Sequence, residues 1–279
     1  MFVAASPSTE DNFMSFQLAG LSATQLALLG SAVTLFSTSL GALPTLFAKR
    51  VSARTQDALM GFSAGVMLAA TCFSLLNPAL RLAVERSNDN KMFSGAAVAC
   101  FVLLGGAFLH ACDRYIPHEH FIKGREGGPP SVRLKRIWLF VLAITLHNFP
   151  EGLAVGAGVG SLDAAVATPI LVGIALQDIP EGFVVALALM GVQYTRWQGL
   201  FVAFITGVVE AVAALIGFAA TSQAQSVLPW TLALSGGAML YVISNEMIPE
   251  SHRKEFAREA TAGLMIGFVL MMFLDTSLS

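Results

Sequence analysis

The sequence predicts an all-α, polytopic membrane protein with eight transmembrane helices. Three observations carry that reading. Of 279 residues, 55% are hydrophobic and only 12% charged, about half the charged share of a soluble domain, and the mean hydropathy is +0.70. Apolar runs recur at the roughly 20-residue length that crosses a bilayer. They lack two-residue alternation, which argues for helices, and in hydrocarbon only helices or closed barrels satisfy the backbone. Finally, Lys and Arg alternate in density from one connecting segment to the next.

Taken in order, the spans are expected at about 21–47, 57–77, 93–112, 137–159, 165–190, 198–220, 229–247 and 260–278. The stretch before span 1, Met1 to Asn12, has no basic region ahead of an apolar core, so no cleaved signal peptide is expected. Lys49, Arg50 and Arg54 follow span 1, whereas Arg81, Arg86 and Lys91 are the only cations between spans 2 and 3. Arg114, Lys123, Arg125, Arg133, Lys135 and Arg136 fill the Gly/Pro-bearing 114–136 segment after span 3. Arg196 joins spans 5 and 6, and Arg253, Lys254 and Arg258 join spans 7 and 8. Thirteen cations thus fall on one side and three on the other. The positive-inside rule then places 114–136 in the cytoplasm and both termini outside. One domain, 1–279, is expected. Cys72, Cys100 and Cys112 lie within spans without metal-site or disulfide spacing, and read as small buried apolar residues. A net charge of −2 gives no sign of nucleic-acid binding.

Span 2 carries Ser63-Ala64-Gly65-Val66-Met67-Leu68, and span 7 carries the similar Ser235-Gly236-Gly237-Ala238-Met239-Leu240. A proline follows each, Pro78 and Pro249. The two spans run in opposite senses. Spans 1–3 and 6–8 are therefore expected to be inverted copies flanking spans 4 and 5, a pattern known in transporters.

Spans 4 and 5 hold the chemistry: His147-Asn148-Phe149-Pro150-Glu151-Gly152 and Gln177-Asp178-Ile179-Pro180-Glu181-Gly182. Residues three and four apart share a helix face. His147 and Asn148 thus stand a turn from Glu151, and Gln177 and Asp178 a turn from Glu181. Each glutamate is placed to bridge two cations. Pro150 and Pro180 are expected to interrupt their helices and free the Leu146 and Leu176 carbonyls. Glu210 in span 6 and Met67 in span 2 reach the same depth, and no Lys or Arg lies inside any span. Buried acids without basic partners must be protonated or meet a cation. Imidazole and thioether beside carboxylates favour Zn²⁺, Fe²⁺ or Mn²⁺ over Mg²⁺ or Ca²⁺.

These residues resemble the ZIP family of divalent-metal transporters (Zrt- and Irt-like proteins) over essentially the whole chain. The first motif is similar to the family's fourth-helix motif, and the second to the fifth-helix motif of the prokaryotic GufA-like branch. The resemblance implies a midplane binuclear site. One metal would be held by Met67, His147, Glu151, Gln177 and Glu181, the other by Asn148, Glu151, Asp178, Glu181 and Glu210. It further implies import of Zn²⁺, with Fe²⁺, Mn²⁺ or Cd²⁺ as other substrates, into the cytoplasm. An elevator-like shift of a four-helix unit would move the metal, in a protein that is often a homodimer, here in a bacterial inner membrane. Ser74, Asn77 and Asp275 would form the access path. Asp113, His118, Glu119, His120, Asn245, Glu246, Glu250 and His252 would form the release path. Asn245 and Arg81 depart from relatives that can carry His and an acid there. The partners are then metal ions and lipid, with no resident cofactor. An intramembrane metalloprotease would need His-Glu-x-x-His, which is absent here. A proton-coupled carrier of an organic substrate would explain the acids but not His, Met and two amides at one level.

Overall fold

In a computed structural model, residues 21–47, 51–115, 130–191, 193–252 and 255–278 are described. These residues form eight long helices and no strand. In chain order, α1 is Ala23–Ala42 with a 3₁₀ turn Leu43–Leu46, and α2 is the continuous run Ala53–Arg86. They are followed by α3 Lys91–Tyr115, α4 Pro130–Gly160, α5 Ala164–Met190, α6 Arg196–Gln223, α7 Gln225–Ser251 and α8 Ala257–Leu278. Seven are long and apolar enough to cross a membrane; α4, with 31 residues, carries the His147 motif. The helices overrun most of the expected spans, and α4 already begins at Pro130, inside the expected 114–136 loop.

Local chemistry sets several starts. Ser22 and Thr195 cap α1 and α6 in reciprocal boxes with Gln25 and Gln198, and Ser52 and Asp163 cap α2 and α5. Each cap satisfies a backbone N–H that the first helical turn leaves without a partner. The α2–α3 turn passes through Asn88 and Asp89, both at positive φ, a conformation these side chains tolerate. Leu28, Phe36, Leu40, Leu103, Phe201 and Phe273 face outward along the bundle. Such a belt suits lipid rather than water.

Two corrections concern the helix interior. Pro150 and Pro180 do not end their helices, because α4 and α5 continue through both. Neighbouring helices make such prolines tolerable in lipid. The widened turns lie elsewhere, at Ala70–Leu76 in α2 and Ile243–Met247 in α7, where the backbone becomes π-helical. Pro78 and Pro249 follow these turns. Each ring removes the bond to the carbonyl four residues back, Ser74 or Asn245, and a widened turn relieves the clash. The two π turns fall at corresponding places after the repeated Ser-to-Leu segments, so the likeness of α2 and α7 extends to their backbones. The cysteines form the other correction. Cys100 is exposed, and Cys72 and Cys112 are only partly buried.

Packing divides the helices into two groups of four. Within the first, α4 lies along α6, and α1 packs on α5 and α6; within the second, α2 lies along α8 and α3 along α7. Glycines permit these approaches. A methyl at Gly156 would strike the Ala214 carbonyl, at Gly182 the Thr38 carbonyl, at Gly65 the Leu264 carbonyl, and at Gly237 the Val102 carbonyl. Among the described residues, every glycine that packs directly on a carbonyl of another helix does so inside one group. Across the seam, where α4 meets α7 and α2 meets α5, Gly173 faces only side chains, Met271 and Ala70.

Gly156→Ala should lower the thermal midpoint of the detergent-solubilised protein, at a cost of about 1–3 kcal/mol of overpacking. Gly95→Ala, on α3 with nothing within 4 Å of the added carbon, should leave the midpoint unchanged or raise it, as helical Ala does over Gly. Equal losses in both variants would refute this packing account.

Candidate functional site

Three helices of the first group bring the acids together. Successive helical turns aim His147, Asn148 and Glu151 of α4 inward, and all three are buried. Gln177, Asp178 and Glu181 do the same from α5, and Glu210 from α6. One carboxylate oxygen from each of Glu151, Asp178 and Glu181 lies within 4.8 Å of the others. Two carbonyl contacts hold α4 against α6 at this level, because Gly152 has no Cβ to strike the Glu210 carbonyl and Gly217 none to strike that of Leu153.

The hydrogen bonds knit the two motifs into one cluster. Gln177 Nε2 donates to Glu151 Oε1. Asn148, its amide turned to satisfy both neighbours, donates to Glu181 Oε1 at 3.0 Å and to the Ile144 carbonyl at 2.7 Å. Even so, Glu151 Oε2, Glu181 Oε2, Glu210 Oε1 and Gln177 Oε1 are buried without a hydrogen-bond donor. No Lys or Arg is paired with Glu151, Asp178, Glu181 or Glu210 among the described residues. Four buried acids facing inward with free oxygen lone pairs make a cation-seeking arrangement, since an uncompensated charge in low dielectric is costly.

The second helix group closes the cluster from across the seam. Ser63 of α2 donates to the Gln177 carbonyl at 3.2 Å. Met67, four residues on and fully buried, continues the same face of α2. Glu246 of α7 lies 3.0 Å from His147 Nε2. The sequence reading put Glu246 on a release path, whereas here it touches the cluster itself. Its helix widens at Ile243–Met247, a backbone change with no signal in the motif spacing. Beyond His147, a small cavity of about 30 Å³ is lined by Glu181, Val184, Glu246 and Glu250 among others.

The remaining expected residues divide by place. Ser74 donates to Asp275 at 2.6 Å, and with Asn77 they line a cavity of about 180 Å³ toward the Ser87–Asn90 end. Arg81 lines it too. Asn245 is partly buried beside Glu246. His252 is bonded to Ser251, to the Ile248 carbonyl and to Thr261 of α8, so it ties the end of α7 to α8. Asp113 lies in α3, but its side chain, with His118, Glu119 and His120, falls outside the described residues. The sequence reading missed Ser37 and Thr38 of α1. Ser37 Oγ donates to Asp178 Oδ2 at 2.6 Å, and Thr38 Oγ1 lies 3.5 Å from Glu210 Oε2. Their only signal was a run of hydroxyl residues inside an apolar span.

Comparison with known proteins gives a consistent result. A family profile described as ZIP zinc transporter matches residues 118–275. The chain is 47% identical over 260 residues to the zinc transporter GufA of Myxococcus xanthus, covering 93% of this chain and 99% of that one. It is 44% identical over 255 residues to the zinc transporter ZIPB of Bordetella bronchiseptica, covering 90% and 81%. Zinc transporter ZIP11 of Homo sapiens is 30% identical over 341 residues, with 94% and 99% covered.

Crowding of like charge predicts a stability effect. Glu210→Gln should raise the thermal midpoint of protein stripped of metal with chelator, by an amount on the order of 1 kcal/mol. The gain should grow as pH rises and the neighbouring acids ionise. A midpoint that falls, at every pH, would mean that the acids are not in electrostatic conflict.

Proposed function

Because the chain belongs to the ZIP zinc transporter family, we propose that it moves Zn²⁺ across a membrane through the buried acid cluster. The chain is a multi-pass membrane transport protein and not an enzyme. One observation carries the reading for the site: Glu151, Asp178 and Glu181 oxygens lie within 4.8 Å of one another, fully buried in the bundle. A divalent ion there would replace its hydration shell with carboxylate oxygens and would cancel the charge that burial makes costly.

The ligand assignment is the one that the resemblance to the ZIP family implies. One ion is taken by His147, Glu151, Gln177 and Glu181 with Met67; a second by Asn148, Glu151, Asp178, Glu181 and Glu210. The two glutamates bridge. Fe²⁺, Mn²⁺ and Cd²⁺ share enough ligand chemistry with Zn²⁺ to compete. With thirteen of sixteen cations in the segments at one end, that end is cytoplasmic and both termini are outside, in a bacterial inner membrane. The ion enters past Ser74, Asn77 and Asp275, and leaves past Glu246, Glu250 and Asn245, with Asp113, His118, His120 and His252 on the cytoplasmic side. Subunits pair as a homodimer.

Movement of one helix group against the other supplies alternating access. Seven of the eight proposed ligands ride on α4, α5 and α6, while Met67 and the neighbouring Glu246 belong to the other group. The seam between the groups is built from side chains and not from glycine–carbonyl contacts, which supports sliding there and rigidity within each group. His147 and the carboxylates must be deprotonated to hold the metal, so acidification lowers its affinity.

Radiometal uptake in cells should fall to background in His147→Ala and Glu181→Ala. Zn²⁺ at 100 times its Kd should stabilise the purified protein by about 2.7 kcal/mol, and the Glu181 variant should lose this gain. Parental uptake in both variants would reject the site. Gly173→Leu places a wedge between α5, Met271 and Ala70. It should keep Zn²⁺-dependent stabilisation yet slow uptake at least tenfold; uptake at the parental rate would reject sliding at this seam.

A further inference from the structure

We propose that α1 is part of the metal site: Ser37 and Thr38 are positioning residues that hold Asp178 and Glu210, the acids of the second ion. The proposal rests on the two-ion reading above and deepens it. Ser, Thr and Cys hydroxyls or thiols inside apolar helices commonly bond back to a carbonyl three or four residues earlier. Ser31, Thr34 and Ser39 of α1 do only that, to Ala27, Ser31 and Leu35. Ser37 and Thr38 differ. Both reach the Thr34 carbonyl, at 2.8 and 3.2 Å, and each also meets a carboxylate oxygen from another helix. All three residues, with Asp178 and Glu210, are buried.

The close approach of α1 is itself specified by sequence. Gly41 has no Cβ to strike the Ile179 carbonyl, and Gly182 none to strike the Thr38 carbonyl. These contacts adjoin the Ser37–Asp178 bond on both helices, so α1 is held at a distance where a short hydroxyl spans the gap. Glu210 Oε1 remains without a donor while its Oε2 faces Thr38. One oxygen of that acid is thus turned to α1, and the other is free to serve an ion.

The consequence is a division of labour between the halves of the site. The His147 half contains nitrogen and, with Met67, sulfur. The Asp178 half is bounded by carboxylates, the Asn148 amide and hydroxyl oxygens, with the hydroxyls fixing the rotamers of the acids. A preorganised carboxylate loses less freedom when it binds. Removing a hydroxyl should therefore weaken the second ion and spare the first.

The test uses the full chain purified in detergent and stripped with chelator, titrated with Zn²⁺ by calorimetry. The variants are Ser37→Ala, Thr38→Val, the conservative Ser37→Thr, and Glu181→Ala as the control for the site itself. The parent should take up two ions. Ser37→Ala should weaken one of the two binding events about tenfold, the loss of one hydrogen bond to a charged group, and leave the other within twofold. Ser37→Thr should restore it. Thr38→Val keeps the shape of the side chain and should give a smaller loss in the same event. Equal weakening of both events, or a parental titration in both Ser37→Ala and Thr38→Val while Glu181→Ala loses binding, would overturn the proposal. A single-ion parent would overturn it as well. If Glu181→Ala also binds as the parent does, the site reading fails instead.

Discussion

Everything in this molecule answers to four carboxylates held inside an apolar helix bundle with, among the described residues, no lysine or arginine paired with them. Charge in low dielectric is tolerated only when compensated, and hydrogen bonds from Gln177, Asn148 and Ser37 compensate only part of it. One oxygen from each of Glu151, Asp178 and Glu181 lies within 4.8 Å of the others. A soluble enzyme would place such groups in a wet cleft. Here the cluster is sealed by the bundle, and the family to which the chain belongs is one of zinc transporters.

Holding the acids so close requires helices to touch at backbone distance. Glycines at 152, 156 and 217 bring α4 to α6, and glycines at 41 and 182 bring α1 to α5. Hydrophobic burial gives little drive for helices to associate in lipid, so close van der Waals packing does that work. Among the described residues, glycine–carbonyl contacts of this kind are absent from the α4–α7 and α2–α5 seam. His147 and Glu246 meet across that seam, so any relative movement of the groups changes the surroundings of the site.

The π turns of α2 and α7 add a second structural theme. Each sits ahead of a proline and carries polar residues: Ser74 in one, Asn245 and Glu246 in the other. Widening the helix rotates these side chains relative to an ideal α-helix. Ser74 then meets Asp275 on one side of the cluster, and Glu246 meets His147 on the other.

By itself the sequence determined the helical class, the eight long helices and the two motifs. Apolar length and composition report directly on bilayer thickness, and three- and four-residue spacing reports directly on a helix face. His147, Glu151, Gln177, Asp178 and Glu181 were legible for that reason, and Glu210 as a lone acid at the same depth. The continuity of α4 and α5 through Pro150 and Pro180 was not, because neighbouring helices decide whether a proline breaks a membrane helix. Nor was the contact of Glu246 with His147 or of Ser37 with Asp178, since each joins residues about one hundred or more positions apart. Such contacts depend on which helices pack and how closely, and only the tertiary arrangement of glycines and π turns decides that.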